Sequence, residues 1–470
     1  MKFRRWHLLW LGILIICMSI SSWSKSSSDD ASNTALIQRG AYLAVAADCA
    51  ACHQSVIDAT QYGGGLAINS PVGKIIASNI TPSESGGIGS FTEEDFRRAL
   101  KDGIGRGGVP LYPAMPYTAY RKLTDDDVRA LYAYFMNAVP PDDRRPPRSR
   151  LAFPFSIRES MRVWNALFLD DGREVKPLSP QLERGRYLVD ALGHCSACHS
   201  PRNWLMAEDN RKRYLSGGAV DGWYAPNITS DPDVGIGSWT QAELVQYLRS
   251  GHVSNKAQAA GPMAEAIEHS LRFLDEADLN AIAAYLKQTP AIANPDTPDT
   301  RGASLPAQSP NTAPLQVDAS ISVRGAALYA SACATCHRMA GQGAYDGYFP
   351  SLTRNADVRA VKPNNLVMTI LYGVERRGDN GQVWMPAFGQ TLNDAQVADL
   401  ANYVSMRFGR RMEHVSADDV ATLRKGGPTP VIAWLPYVLA AFGALVVVAL
   451  GYWVLVVRGR RARKDARQPD

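Results

Sequence analysis

Cys49-Ala50-Ala51-Cys52-His53, Cys195-Ser196-Ala197-Cys198-His199 and Cys333-Ala334-Thr335-Cys336-His337 repeat one pattern, C-x-x-C-H, and hold six of the chain's seven cysteines. Two thiols three positions apart lie on one side of a helical turn. From there they can add to the two vinyl groups along one edge of a porphyrin, and the imidazole that follows is delivered to the iron. This is the c-type haem attachment pattern. Disulfides, a thioredoxin-like redox pair and a zinc site compete for such cysteines. None of them requires a histidine directly after the second cysteine, and none explains three copies. The spacing therefore predicts three covalently bound haem c groups, held by Cys49, Cys52, Cys195, Cys198, Cys333 and Cys336, with His53, His199 and His337 on the iron.

The sequence around the motifs is itself repeated. Asn79-Ile80-Thr81 recurs as Asn227-Ile228-Thr229, and Gly87-Ile88-Gly89-Ser90-Phe91-Thr92 as Gly235-Ile236-Gly237-Ser238-Trp239-Thr240, both 148 residues on. Arg39-Gly40-Ala41-Tyr42-Leu43 matches Arg184-Gly185-Arg186-Tyr187-Leu188, and a third, more diverged copy opens with Arg324-Gly325-Ala326-Ala327-Leu328-Tyr329. Each copy closes on a segment with apolar residues three and four apart, the mark of a helix with one buried face. These begin at Thr124, Asp275 and Asn393, each an N-cap residue with an acid or amide three positions later.

A low-spin electron-transfer haem needs a second axial ligand, and a thioether sulfur raises the potential. Met115 in Pro113-Ala114-Met115-Pro116 and Met385 in Trp384-Met385-Pro386 precede prolines, which favour extended backbone before them. Met263 in Gly261-Pro262-Met263-Ala264 follows Met115 at the repeat offset of 148. His252 and His269 are its rivals for the second haem. His194, beside Cys195, is too near in sequence to reach the distal face. Met136, Met161, Met206, Met339 and Met368 read as flexible core filler.

The 470 residues suit about three domains. The net charge of +5 is small, and no basic stripe with interleaved aromatics argues for nucleic acid. Lys2, Arg4 and Arg5, the apolar run Leu8–Ile20 and the small residues after it read as an export signal over residues 1–28, which would remove Cys17. A retained N-terminal anchor is the alternative. Val431–Val457 holds 27 residues without a charge, enough to cross a bilayer. Arg458, Arg460, Arg461, Arg463, Lys464 and Arg467 follow, and the positive-inside rule puts that tail in the cytoplasm. The two termini agree on one location: single-pass in a bacterial inner membrane, with the haem domains in the periplasm and the C-terminus cytoplasmic.

The expected organisation is mainly α: three tandem class I cytochrome c-like domains over 35–139, 181–290 and 321–414, then a transmembrane helix over 431–457 and a basic tail over 458–470. Residues 140–180 form a linker, turn-rich to Arg150. Its apolar, aromatic stretch Leu151–Leu169 packs between the first two domains or against a partner. Residues 291–320, rich in Pro, Ala and Ser, form a tether.

Beyond the motifs, the chain resembles the trihaem cytochrome c subunits of bacterial membrane-bound alcohol, gluconate, sorbitol, glucose and aldehyde dehydrogenases. The resemblance rests on the N-I-T … G-I-G-S-[FW]-T segments, the A-M-P-Y loop at Met115 and the G-P-M-A-E loop at Met263. It includes F-P-F … W-N-A-L-F from Phe153 to Phe168, and Y-F-P-S-L from Tyr348 to Leu352. It implies a separate catalytic subunit, a quinoprotein, flavoprotein or molybdoprotein. Its electrons would pass through the three haems to membrane ubiquinone or a terminal oxidase. It implies the same six cysteines as haem attachments, His53, His199 and His337 as proximal ligands, Met115, Met263 and Met385 as distal ones, and no catalytic residue of the chain's own. A cytochrome subunit of a terminal oxidase or other respiratory complex is the alternative. A catalytic cytochrome would need a haem with an open distal position, and the three methionines argue against one. Gly63-Gly64-Gly65 and Gly103–Gly108 lack the lysine and hydroxyl of a phosphate-binding loop. Asp125, Asp126 and Asp127 start a helix, where acids suit the dipole.

Overall fold

The computed structural model describes residues 31–55, 57, 61–169, 176–293, 319–345, 347–378, 381–409 and 414–465. The export signal with Cys17, most of the 291–320 tether and the last residues of the basic tail lie outside them.

The first repeat opens with α1 (31–46), followed by the motif helix α2 (Cys49–His53). A hairpin, β1 (Ala67–Ser70) and β2 (Gly73–Ile76), leads to α3 (Glu93–Asp102), a short α4 (Tyr117–Tyr120) and the closing helix α5 (Asp125–Asn137). Thr92 caps α3 in a reciprocal box with Asp95, and Thr124 caps α5 by accepting from Asp127 N–H. The second repeat follows the same order. It has α7 (Pro180–Tyr187) running into a π-helical turn (Leu188–Leu192), the motif helix α8 (Ser196–His199) and the pair β4 (Gly218–Val220) and β5 (Trp223–Ala225). Then come α9 (Gln241–Ser250), the short pair β6 (His252–Val253) and β7 (Ala257–Gln258), α10 (Gly261–His269) and α11 (Glu276–Leu286). Between the repeats lie a two-residue strand, β3 (Arg150–Leu151), which extends the first hairpin, and α6 (Ser160–Phe168).

The opening and closing helices cross at glycine. A Cβ on Gly40 would lie 2.0 Å from the Ala130 carbonyl oxygen, one on Gly185 2.1 Å from that of Ala281, and one on Gly325 2.4 Å from that of Asp399. The Arg-Gly pair seen in each copy is thus an ion pair followed by a backbone contact: Arg39 bonds Asp127, Arg184 bonds Asp278 and Arg324 bonds Asp399.

The first two repeats share one apolar core, from Leu43, Ala44 and Leu131 to Leu188, Leu192, Leu279 and Leu286. They also exchange tyrosines. The Tyr42 hydroxyl donates to Asp278 Oδ2 (2.6 Å) and accepts from the Asp275 amide, while the Tyr187 hydroxyl donates to Asp127 Oδ2 (2.6 Å) and accepts from the Thr124 amide. Asp275 makes no cap with its own side chain, and Tyr42 of the other repeat takes its amide instead. The apolar segment before α7 joins the same assembly. Trp164 Nε1 donates to the Leu205 carbonyl of the second repeat, and Asn165 Oδ1 accepts from Tyr117 of the first. Its outer side, with Phe153, Ile157, Val163 and Leu167, is exposed.

The third repeat has its own core. It contains α12 (Ala319–Ala332), the motif helix α13 (Ala334–His337), α14 (Ala356–Arg359), α15 (Asn364–Tyr372), the hairpin β8 (Val374–Gly378) and β9 (Gly381–Met385), and α16 (Asp394–Val404). Beyond residue 414 the chain folds into α17 (Ala417–Arg424), whose Val420 and Leu423 are buried in this core. Asn402 holds that turn by bonding both the amide and carbonyl of Val415. The core therefore runs past the 414 boundary read from sequence.

The chain ends in a turn over Val431–Trp434 and the helix α18 (Leu435–Asp465). Val431–Arg460 is long and apolar enough to cross a membrane, and Val438, Phe442, Leu445, Val447 and Leu450 are exposed along it.

Candidate haem sites

Each motif puts its cysteines and histidine on one short helix or at its N-cap. The histidine is held from behind. His53 Nδ1 lies 2.6 Å from the Ser78 carbonyl oxygen, His199 Nδ1 2.7 Å from that of Pro226 and His337 Nδ1 3.1 Å from that of Pro350. A carbonyl only accepts, so each Nδ1 carries the proton. Burial lowers all three imidazoles below their ordinary value, which keeps them neutral. The Nε2 lone pair is then free for a metal, with the tautomer and ring orientation fixed by the second bond.

The six motif cysteines are free thiols in the fold. Burial pushes Cys49 and Cys195 up to about 12, and Cys52 and Cys333 up to about 11. Each motif holds its two thiols three positions apart, the arrangement that thioether formation at a porphyrin's vinyl groups needs. Among the described residues no three His, Cys, Asp or Glu side chains are gathered to hold a bare metal ion. The donor set fits a porphyrin iron supported by its own macrocycle and does not fit zinc.

Met115 and Met263 border the shared core together with Cys49 and Cys195. Met115 sits in the turn before α4, not in the extended segment that the proline after it suggests. Met263 is the third residue of α10, with Pro262 in the first turn, where proline is tolerated. Met385 ends β9, opposite Val374. Of the rivals, His252 uses both ring nitrogens, Nε2 toward Ser254 Oγ (3.1 Å) and Nδ1 toward the Gln258 amide (2.6 Å), and His269 ends α10.

The first two motifs face one another. Helix α10, which carries Met263, packs on the first motif helix, and α4, just after Met115, packs on the π-helical turn before the second motif. The Cys198 thiol is near enough to help raise Cys52, after burial and the Asp48 and Glu265 carboxylates. His194 lies in this seam, its ring edge-on to Tyr120 at 5.7 Å, and the Tyr120 hydroxyl donates to the Ala47 carbonyl. Asp48 and His194, the residues before the first cysteines, both adopt positive φ (52° and 36°). This left-handed step turns the chain from the opening helix into the motif. Sequence reading assigned neither residue a part in this seam, because an Asp and a His in one position share no side-chain signal.

A family model described as cytochrome c matches residues 37–138, 182–290 and 322–406. The chain is 45% identical over 449 residues to the fructose dehydrogenase cytochrome subunit of Gluconobacter japonicus, covering 91% of this chain and 92% of that one. It is 39% identical over 412 residues to the gluconate 2-dehydrogenase cytochrome c subunit of Pantoea cypripedii, covering 85% and 91%. It is 35% identical over 438 residues to the cytochrome c subunit of the quinone alcohol dehydrogenase of Gluconobacter oxydans, covering 90% and 89%.

Proposed function

The chain belongs to the cytochrome c family, among the trihaem cytochrome c subunits of dehydrogenase complexes, and from that premise we propose that it relays electrons from a periplasmic dehydrogenase subunit to ubiquinone or a terminal oxidase at the inner membrane. The carrying observation is the threefold recurrence of a neutral imidazole locked through Nδ1 to a carbonyl, directly behind a pair of half-buried cysteines. Bound haem supplies a one-electron iron couple at each site. The six motif cysteines would attach it covalently, and His53, His199 and His337, with Met115, Met263 and Met385, would supply the protein ligands to its iron. Three tandem cytochrome c-like domains then form a wire, with the third repeat next to the membrane because it alone adjoins α18. The exposed apolar helix supports anchoring, and the basic tail supports a cytoplasmic C-terminus. The partner is a flavoprotein, quinoprotein or molybdoprotein. Purification from membranes in mild detergent will bring down such a subunit, identified by mass spectrometry. Isolation alone, with intrinsic peroxidase turnover, would overturn this assignment.

The hydrogen bonds on both nitrogens of His252 support Met263 as the second distal ligand. Met263→His will keep three covalent haems, lower one of the three reduction potentials and remove about a third of the sulfur-to-iron charge-transfer absorbance, since imidazole replaces a potential-raising thioether. Unchanged spectra would pass the role to a histidine.

A further inference from the structure

Arg376, in β8 of the third repeat, is 1% exposed and reaches into the second repeat. Its guanidinium donates to the carbonyls of Gly251 and Ala259 (3.4 Å for the second) and to Gln258 Oε1 (3.0 Å). All three acceptors are neutral, and Nε has no partner among the described residues. Tyr247, Glu268 and His252 are titratable groups that feel its charge, and the Glu268 carboxylate engages the neighbouring Arg377.

The first repeat shows what this arginine replaces. A Cβ on Gly103 would meet the Tyr117 ring at 2.7 Å, and one on Gly251, 148 residues later, would meet Arg376 at 2.1 Å. The Tyr117 hydroxyl points to the Leu111 carbonyl (3.4 Å), and Arg376 to the carbonyl of Ala259, 148 residues after Leu111. At the Tyr117 offset the second repeat has Glu265. An uncharged tyrosine of the same repeat thus fills the space in the first copy, and a cation from the third repeat fills it in the second. The loop so filled leads directly to Met263, and the hairpin that delivers the cation ends at Met385, whose strand partner Val374 lies two residues before Arg376.

We propose that Arg376 is a positioning residue shared by the second and third haem sites, which pins the third repeat to the Met263 loop and raises the reduction potentials of those haems with its buried positive charge. A charge held by neutral dipoles in a dry interface is weakly screened. Reduced iron carries one positive charge fewer than oxidised iron, so a fixed cation favours the reduced form. Burial and fixed charge are among a protein's means of setting such potentials. The first repeat, with tyrosine in the same place, has no counterpart.

This inference rests on the three-haem reading, which haem staining tests separately. The experiment is a spectropotentiometric titration of the full chain in detergent for wild type, R376Q, R376K and Q258E. R376Q removes the charge, and Q258E neutralises it with a carboxylate in place of Oε1. Both will make at least one haem tenfold harder to reduce, about 59 mV for a one-electron couple, while R376K stays near wild type. Unchanged midpoints in both charge variants would overturn the proposal, as would R376K falling as far as R376Q. If R376Q assembles fewer than three haems, Q258E decides alone. A wild-type chain with fewer than three haems would instead refute the underlying reading.

Discussion

A chain carrying Cys195→Ser with Cys198→Ser will hold two covalent haems in place of three, and the damage will spread into the first repeat. Without thiols no thioether forms, and His199 alone cannot retain the porphyrin through denaturing electrophoresis. The second repeat's interior is continuous with the first, because Leu188 and Leu192, just before the second motif, lie in one core with Leu43 and Leu131. An unfilled haem site there acts as a large apolar cavity, costing at least about 3 kcal/mol. That is roughly 6–12 °C in Tm for a core of this size. The matching change, Cys333→Ser with Cys336→Ser, also leaves two haems but will spare the first transition, since the third repeat's core is separate. Haem stain, haem-to-protein ratio and calorimetry read both outcomes. Equal thermal losses in the two variants would contradict the division into a fused pair and an independent third core.

That division was only half visible in the sequence. The haem motifs, the repeat and the closing helices could be read because covalent attachment and helical periodicity demand fixed spacings. The inter-repeat contacts could not. Tyr42 and Tyr187 occupy ordinary positions on the opening helices, and nothing local says that each hydroxyl serves the other repeat's aspartate. Ala327 in the third repeat, at the position of those tyrosines, is the one trace of the difference. Arg376 was equally silent. An arginine in a short charged hairpin reads as solvated, and only the neighbouring repeat's Gly251 makes room for it. Met263 as a ligand rests on register, not on local chemistry, since its proline precedes it and starts a helix. Sequence patterns report contacts within an element, whereas these residues act between repeats, where the spacing is set by three-dimensional packing.

Asp278→Asn tests that packing most directly. The carboxylate takes two bonds from Arg184 (2.8 and 2.6 Å) within its own repeat and one from Tyr42 (2.6 Å) across the seam. Burial alone would raise its pKa, but the hydrogen bonds from Arg184 and Tyr42 outweigh that and hold it below the ordinary carboxylate range. Its stabilising contribution is therefore present above the unfolded-state value near 4 and is lost as pH falls through the folded value. The wild-type Tm should decline over that acidic window, and the variant should decline less. At neutral pH the variant loses charge-assisted bonds at a mostly buried site, about 2–3 kcal/mol, or roughly 4–12 °C. Asp399→Asn is the matched control. Asp399 pairs with Arg324, whose side chain is 59% exposed, and it lies in the repeat that has Ala327 in place of the tyrosine. A pair whose arginine is solvated contributes less, and no tyrosine from another repeat adds a bond, so that variant should shift only the third core's transition, and by less. If the two substitutions cost the same and Asp278→Asn keeps the full acid dependence, the tyrosine exchange is incidental to how the first two repeats hold together.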